Sequence, residues 1–101
     1  MVFNYITCSS EEEAKKIAKI LLEKKGAGCI NIFPIQSMYP ENGSLKEIKE
    51  YVIIAKTIDS KVQAVEDIVR ENHSYKVPFI GTLSLTRFNR EYKEWLTGVL
   101  A

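Results

Sequence analysis

The sequence predicts an α+β fold, a ferredoxin-like βαββαβ sandwich with an extra C-terminal helix and a long hairpin between the second and third strands. The first observation is that β-rich segments alternate with segments of helical periodicity in the order β-α-β-β-α-β-α. The second is an apolar stretch at residues 26–39 that is too long for an ordinary strand. Two interleaved βαβ units would form one antiparallel sheet with both crossover helices on one face. The 101 residues are predicted to form a single domain, residues 1–101.

The first strand and the first helix have clear local signals. Residues 2–8 are rich in β-branched and aromatic side chains, which predicts a strand. Ser10 with Glu13 fits a capping box, and the acids at 11–13 suit the positive end of a helix dipole. Gly26 is predicted as the C-cap. The apolar face of this helix is predicted to consist of Ala14, Ile17, Ala18, Leu21 and Leu22.

The long stretch at 26–39 predicts a strand that is bent at Pro34 and turns at residues 40–43 into a third strand, residues 45–57. Twelve strand residues span about 40 Å at ~3.3 Å each. A compact domain of this length is only about 33 Å across. The hairpin should therefore extend beyond its own domain, with the overhang in the lead-in to residue 51. Another chain must then cover its exposed backbone and apolar faces, which predicts an oligomer.

The second half of the chain repeats the pattern. Asp59 and Ser60 are predicted to cap the second helix, with Ser60 and Gln63 as a second capping box. Residues 77–85 predict the fourth strand, and Asn89 is predicted to cap a short last helix. The buried face of the second helix is predicted as Val62, Val65, Ile68 and Val69. The inward face of the last helix is predicted as Tyr92, Trp95, Leu96 and Val99.

Composition argues against several classes of partner. The net charge is +1, with 14 basic and 13 acidic residues, so neither nucleic acid nor a membrane surface is an expected partner. No apolar run approaches ~18 residues, and the first residues lack the pattern of a signal peptide. Cys8 and Cys29 are too few for a disulfide framework and are expected to be small buried hydrophobes. We therefore expect a cytoplasmic protein.

His73, the only histidine, is the clearest candidate for site chemistry. A lone histidine after a helix can carry a proton or bind a metal, and it can equally be a loop residue or a helix cap. No cysteine or carboxylate lies near it in sequence at the spacing of a closed zinc site. No acid-base pair is visible either, so an enzyme on this scaffold is the least favoured alternative.

Five segments taken together resemble the CutA family of divalent-cation tolerance proteins. They are residues 14–25, 28–39, 56–57, 73–78 and 89–96, in the family's order and at its spacing. The resemblance implies a ferredoxin-like protomer and a homotrimer assembled through the long strands. It also implies a cytoplasmic, non-enzymatic binding or scaffold protein linked to tolerance of copper and other divalent metals.

The resemblance implies candidate sites as well. Of the family's possible metal ligands only His73 matches residue for residue, which makes it the expected ligand for copper or another divalent cation. Residues 40–43 replace the aromatic residues that the family usually carries at the hairpin tip. The family's trimer is similar to that of the PII signalling proteins, so the alternative function is a sensor that binds a small anionic ligand in clefts between subunits. Its expected contacts are Asn31, Lys56, Tyr75 and Lys76.

Overall fold

The computed structural model describes all 101 residues and confirms the predicted fold class. Its elements are β1 (Val2–Cys8), α1 (Glu11–Glu23), β2 (Cys29–Glu41), β3 (Ser44–Thr57), a 3-10 turn (Asp59–Lys61), α2 (Val62–Asn72), β4 (Ile80–Ser84) and α3 (Arg90–Leu100). The four strands form one antiparallel sheet in the order β2-β3-β1-β4. This is the strand order that two interleaved right-handed βαβ units produce.

The main core lies between the sheet and the first two helices. Alternate residues of β1 are buried, because successive side chains of a strand point to opposite faces. On this face Ile6 lies opposite Ile53 of β3, and Cys8 and Ala55 belong to the same core cluster. The helices contribute the buried residues Ala14, Ile17, Leu21, Val65, Ile68 and Val69. The predicted face of α1 is confirmed except for Leu22, which is exposed, and Val62 at the start of α2 is only half-buried.

The ends of α1 follow predicted capping chemistry with two changes. The Glu13 amide donates to the Ser10 hydroxyl at 3.1 Å, but the Glu13 carboxylate turns to Ser9 instead of closing the box on Ser10. The prediction of Gly26 as C-cap is wrong, because the left-handed residue is Lys25, at φ 56°. The amides of Lys25 and Gly26 donate to the carbonyls of Leu22 and Leu21, a Schellman motif that satisfies the last turn.

The hairpin of β2 and β3 is longer than its supporting domain, as predicted. The strands pair in unbroken register from Cys29↔Lys56 to Glu41↔Ser44. The molecule therefore measures 48 × 27 × 20 Å. The predicted boundaries shift, because β2 begins at Cys29 and continues through Pro40, and the turn is confined to Asn42 and Gly43. Both turn residues have positive φ, which matches the strong twist of a two-residue hairpin.

In the second half of the chain the predicted cap of α2 is wrong, and the predicted fourth strand exists but is shorter than expected. A 3-10 turn precedes α2, whose N-cap is Lys61 without a side-chain hydrogen bond, and Gln63 instead donates to Asp67. The fourth strand is confined to Ile80–Ser84. Pro78 offers no amide to a ladder, so the residues before Ile80 form a loop.

The last helix packs on the sheet mainly through Leu96 and Leu100. Leu96 and Leu100 are buried, and a Cβ on Gly28 would lie 2.4 Å from Leu96 Cδ1, so helix and strand approach closely at this point. Of the predicted inward face Tyr92 is half-buried, Val99 is 38% exposed although it lies against Gly28, and the prediction for Trp95 is wrong, since it is 47% exposed. Trp95 and Val99 occupy the next row of the helix, one residue before each buried leucine. Asn89 is the N-cap but makes no capping side-chain hydrogen bond.

Candidate functional site

Three elements bring titratable side chains together at one end of the sheet. Cys8 is the last residue of β1, Glu13 lies in the first turn of α1, and His73 follows α2 directly. Their ligand atoms, the Cys8 sulfur, a Glu13 carboxylate oxygen and a His73 ring nitrogen, lie within 4.8 Å of one another. Sequence separation hid this cluster, because Cys8 and His73 are 65 positions apart along the chain.

Both ring nitrogens of His73 are engaged with the backbone. Nε2 lies 2.7 Å from the Thr7 carbonyl oxygen, and the Tyr75 amide donates to Nδ1 at 3.0 Å. A carbonyl oxygen only accepts, so Nε2 must carry the proton, and Nδ1 must be the acceptor. The geometry therefore selects the neutral Nε2–H tautomer and leaves neither nitrogen free.

The Glu13 carboxylate is surrounded by donors. Oε1 accepts from the Ser9 amide at 3.0 Å and from the Ser9 hydroxyl at 3.1 Å, and Oε2 accepts from the Ser74 amide at 2.7 Å. Burial alone would raise the pKa of Glu13, but the hydrogen bonds from Ser74 and Ser9 hold the pKa below its usual value. The group is an ionised acceptor at neutral pH.

The third member of the cluster, Cys8, is a neutral thiol. Burial, and then the negative charges of Glu13 and Glu50, raise the pKa of Cys8 from 9.0 to about 12. Metals bind the thiolate, so an ion would have to displace this proton. It would also have to displace donors from Glu13 and break a hydrogen bond of His73. The three groups are close enough for one cation, but as they stand their donor set does not fit one.

A buried carboxylate lies next to this cluster. Glu50 on β3 is only 8% exposed, and the Tyr75 hydroxyl donates to its Oε2 at 2.6 Å. Burial, and then the hydrogen bond to Glu50, raise the pKa of Tyr75 above its ordinary value. The ring of Tyr75 also lies 4.9 Å from that of His73, measured between centroids. Tyr75 therefore covers Glu50 while its own backbone is held by His73.

The four predicted ligand contacts fall into two groups within one chain. Lys56 lies opposite Cys29, with its Nζ 5.3 Å from the centroid of the Tyr92 ring, and exposed Asn31 is two residues further along β2. Tyr75 lies at Glu50, six residues from Lys56 along β3, which is roughly 20 Å. Lys76 is exposed next to Tyr75. A pocket that joins the two groups stays a prediction.

Sequence reasoning found His73 and Tyr75 but missed the residues that surround them. The sequence favours a solvated, capping role for Glu13 over cation binding, and it predicts Cys8 as a small buried hydrophobe. Glu50 carried no signal, because a carboxylate at the edge of an apolar strand usually marks the exposed face. Its hydrogen-bond partner, Tyr75, comes from a loop 25 positions further along the chain.

The fold and the site define a small ferredoxin-like protein with an overhanging hairpin and a hydrogen-bonded cluster at one end of its sheet. The sequence profile of the CutA1 divalent ion tolerance protein matches residues 2–99. The divalent-cation tolerance protein CutA of Archaeoglobus fulgidus is 44% identical over 94 residues, which cover 93% of this chain and 92% of that protein. The chain therefore belongs to the CutA family of divalent-cation tolerance proteins.

Solved structures agree with this assignment. The structure of CutA from Archaeoglobus fulgidus has a TM-score of 0.95 and 41% identity, with all of both chains covered. CutA1 of Ehrlichia chaffeensis has a TM-score of 0.96 and 33% identity over 99% of this chain and 94% of that one. The Archaeoglobus protein is described as periplasmic, so the predicted cytoplasmic location of this chain stays a prediction. No helix here has the length and apolar character to cross a membrane.

Proposed function

We propose that this chain is a homotrimeric, cytoplasmic scaffold or binding protein without enzymatic activity, and that it acts in the tolerance of copper and other divalent cations. The link to divalent cations comes from the family. The observation that carries the assembly is the overhanging hairpin, which the chain's own domain leaves uncovered.

The exposed surface of the hairpin supports an assembly. β2 is an edge strand of 13 residues, so one side of its backbone is free to pair. Leu45 is 75% exposed and Met38 is 62% exposed, both in the overhang. Monomeric proteins usually shorten, charge or cover such an edge. We propose that copies of the same chain bury it, in the trimer that the resemblance to the family implies.

Light scattering on the purified protein tests the assembly. The chain has a mass of 11.5 kDa, so a trimer should scatter as about 35 kDa. Leu45→Glu places a charge in the proposed interface and should shift the mass toward 11.5 kDa. Leu22→Glu is the matched control, because Leu22 is an exposed leucine of α1 away from the hairpin. A monomeric wild-type protein would refute the proposal.

The metal part of the proposal needs a separate test. Copper tolerance of a host that lacks its own CutA gene should improve when this chain is expressed, if the family's role applies. Unchanged sensitivity, at a verified level of folded protein, would contradict it. Binding of copper at His73 stays a prediction. Its support is the proximity of Cys8 and Glu13, and the occupied ring nitrogens oppose it.

The alternative, a sensor for a small anionic ligand, has less support. Within one chain Asn31 and Lys56 do not meet Tyr75 and Lys76, so neighbouring copies would have to bring the two groups together. A thermal-shift screen of small anions on the assembled protein tests this alternative. If none of the anions tested raises the melting temperature, the result counts against this alternative.

A further inference from the structure

We infer that Glu13, His73 and Tyr75 form a structural latch that fastens the loop after α2, and that the cluster of Cys8, Glu13 and His73 is not a resident metal centre. The inference depends on hydrogen-bond geometry within one chain. It does not depend on the oligomeric state.

The latch joins three separate elements through consecutive residues. The His73 ring donates to the Thr7 carbonyl near the end of β1. The Ser74 amide donates to the Glu13 carboxylate at the start of α1. The Tyr75 hydroxyl donates to the Glu50 carboxylate on β3. The Ser74 hydroxyl also lies 3.3 Å from that of Ser9. Loops are usually more mobile than the elements they connect. Three successive loop residues bonded to β1, α1 and β3 indicate a segment that is fixed in place.

His73 is the centre of the latch because its two nitrogens have complementary roles. The protonated Nε2 donates to the Thr7 carbonyl of β1, and the unprotonated Nδ1 accepts from the Tyr75 amide. A cation at either nitrogen would release one of these partners. Release of the Tyr75 amide would loosen the residue whose hydroxyl covers buried Glu50. Metal binding and an intact latch are therefore mutually exclusive.

The latch also determines where the following segment lies. Phe79 packs edge-on against Tyr5 of β1, with ring centroids 6.2 Å apart, and it lies over Gly81. Val77 and Phe79 remain exposed at 86% and 58%. Within one chain this apolar segment gains little from burial, so we expect the upstream hydrogen bonds to supply much of its order. His73 is in this sense a positioning residue for the segment 75–79.

Nitrogen NMR of the His73 ring tests the metal half of the inference. Two-bond ¹H–¹⁵N correlations should show a neutral ring with the proton on Nε2. Addition of zinc sulfate or copper sulfate up to several equivalents should leave the two ring signals in place. A saturable change of either ring signal at one metal per chain, abolished in Cys8→Ser, would overturn the inference.

Amide hydrogen exchange on two isosteric variants tests the latch itself. Asparagine at position 73 places an oxygen near the site of Nδ1 and keeps the acceptor for the Tyr75 amide. Glutamine instead keeps a donor for the Thr7 carbonyl. We expect His73→Gln to speed exchange of the Tyr75 amide about tenfold, the effect of losing one hydrogen bond, and His73→Asn to change it little.

The Ser74 amide is the internal control. Its acceptor is Glu13, so its exchange should stay near the wild-type rate in both variants and rise in Glu13→Ala. Equal exchange of the Tyr75 amide in wild type and His73→Gln would overturn the latch. Light scattering on the same samples reports the assembly separately, so a failure of the proposed trimer is distinguishable from a failure of the latch.

Discussion

Replacement of Tyr75 by phenylalanine removes one oxygen atom and leaves Glu50 without its side-chain donor. The lost hydrogen bond is 2.6 Å long and has a carboxylate acceptor that is only 8% exposed. Hydrogen bonds to charged groups contribute about 1.5–3 kcal/mol, and removal of one partner leaves the buried group unsatisfied. We expect Tyr75→Phe to lower the free energy of unfolding by about 2–3 kcal/mol, at the upper end of that range.

Urea denaturation at pH 7 and a fixed protomer concentration measures this effect, because unfolding of an oligomer depends on concentration. Tyr5→Phe is the matched control, since the Tyr5 hydroxyl makes no hydrogen bond within the chain. It should change stability by no more than about 0.5 kcal/mol.

A double-mutant cycle attributes the loss to the pair. Glu50→Gln keeps an acceptor for Tyr75 and removes the charge, so Tyr75→Phe should cost less in that background, by about 1 kcal/mol or more. Equal costs in both backgrounds, or a Tyr75→Phe variant as stable as Tyr5→Phe, would show that Glu50 is satisfied in some other way.

Three further substitutions test the packing, the titration and the hairpin turn. Gly28→Ala should destabilise by about 1–3 kcal/mol, because its Cβ would lie 2.4 Å from Leu96 Cδ1, whereas the nearest atoms to a Cβ at Gly26 are 3.5 Å away. Denaturation of Gly28→Ala beside Gly26→Ala measures the difference, and equal stabilities would contradict the close packing. The raised pKa of Cys8 means that above pH 9 the unfolded chain loses a proton that the folded chain keeps, so folding stability should fall as pH rises. Compared with Cys8→Ala, the wild type should lose about 1.4 kcal/mol more per pH unit between pH 10 and 11, and parallel pH profiles would refute the shift. Gly43→Ala places a side chain at φ 82° and should lower the free energy of unfolding by about 1 kcal/mol, measured by thermal or urea unfolding. Unchanged stability would contradict this and would show that the turn adopts another type.

The sequence alone does not predict most of the candidate site. The sequence predicts His73 as the metal ligand, and the structure places it beside Cys8 and Glu13. The state of its ring was not predictable, because the partners of Nδ1 and Nε2 are backbone groups of Tyr75 and Thr7. Backbone groups carry no sequence signal. One partner of Glu13, the Ser74 amide, likewise belongs to the loop that follows the second helix.

The sequence by itself determined the order of elements, the helical faces and the excessive length of the hairpin. These features depend on local periodicity, turn chemistry and residue rise, which act over a few positions. Only the tertiary structure decided which apolar residues of α3 are buried, since Leu96 is buried and its neighbour Trp95 is exposed. It also decided where β4 begins. It also decided that Tyr75 covers Glu50 and that His73 fastens the loop. The physical reason is that burial and hydrogen-bond partners at these positions come from segments far away in the chain.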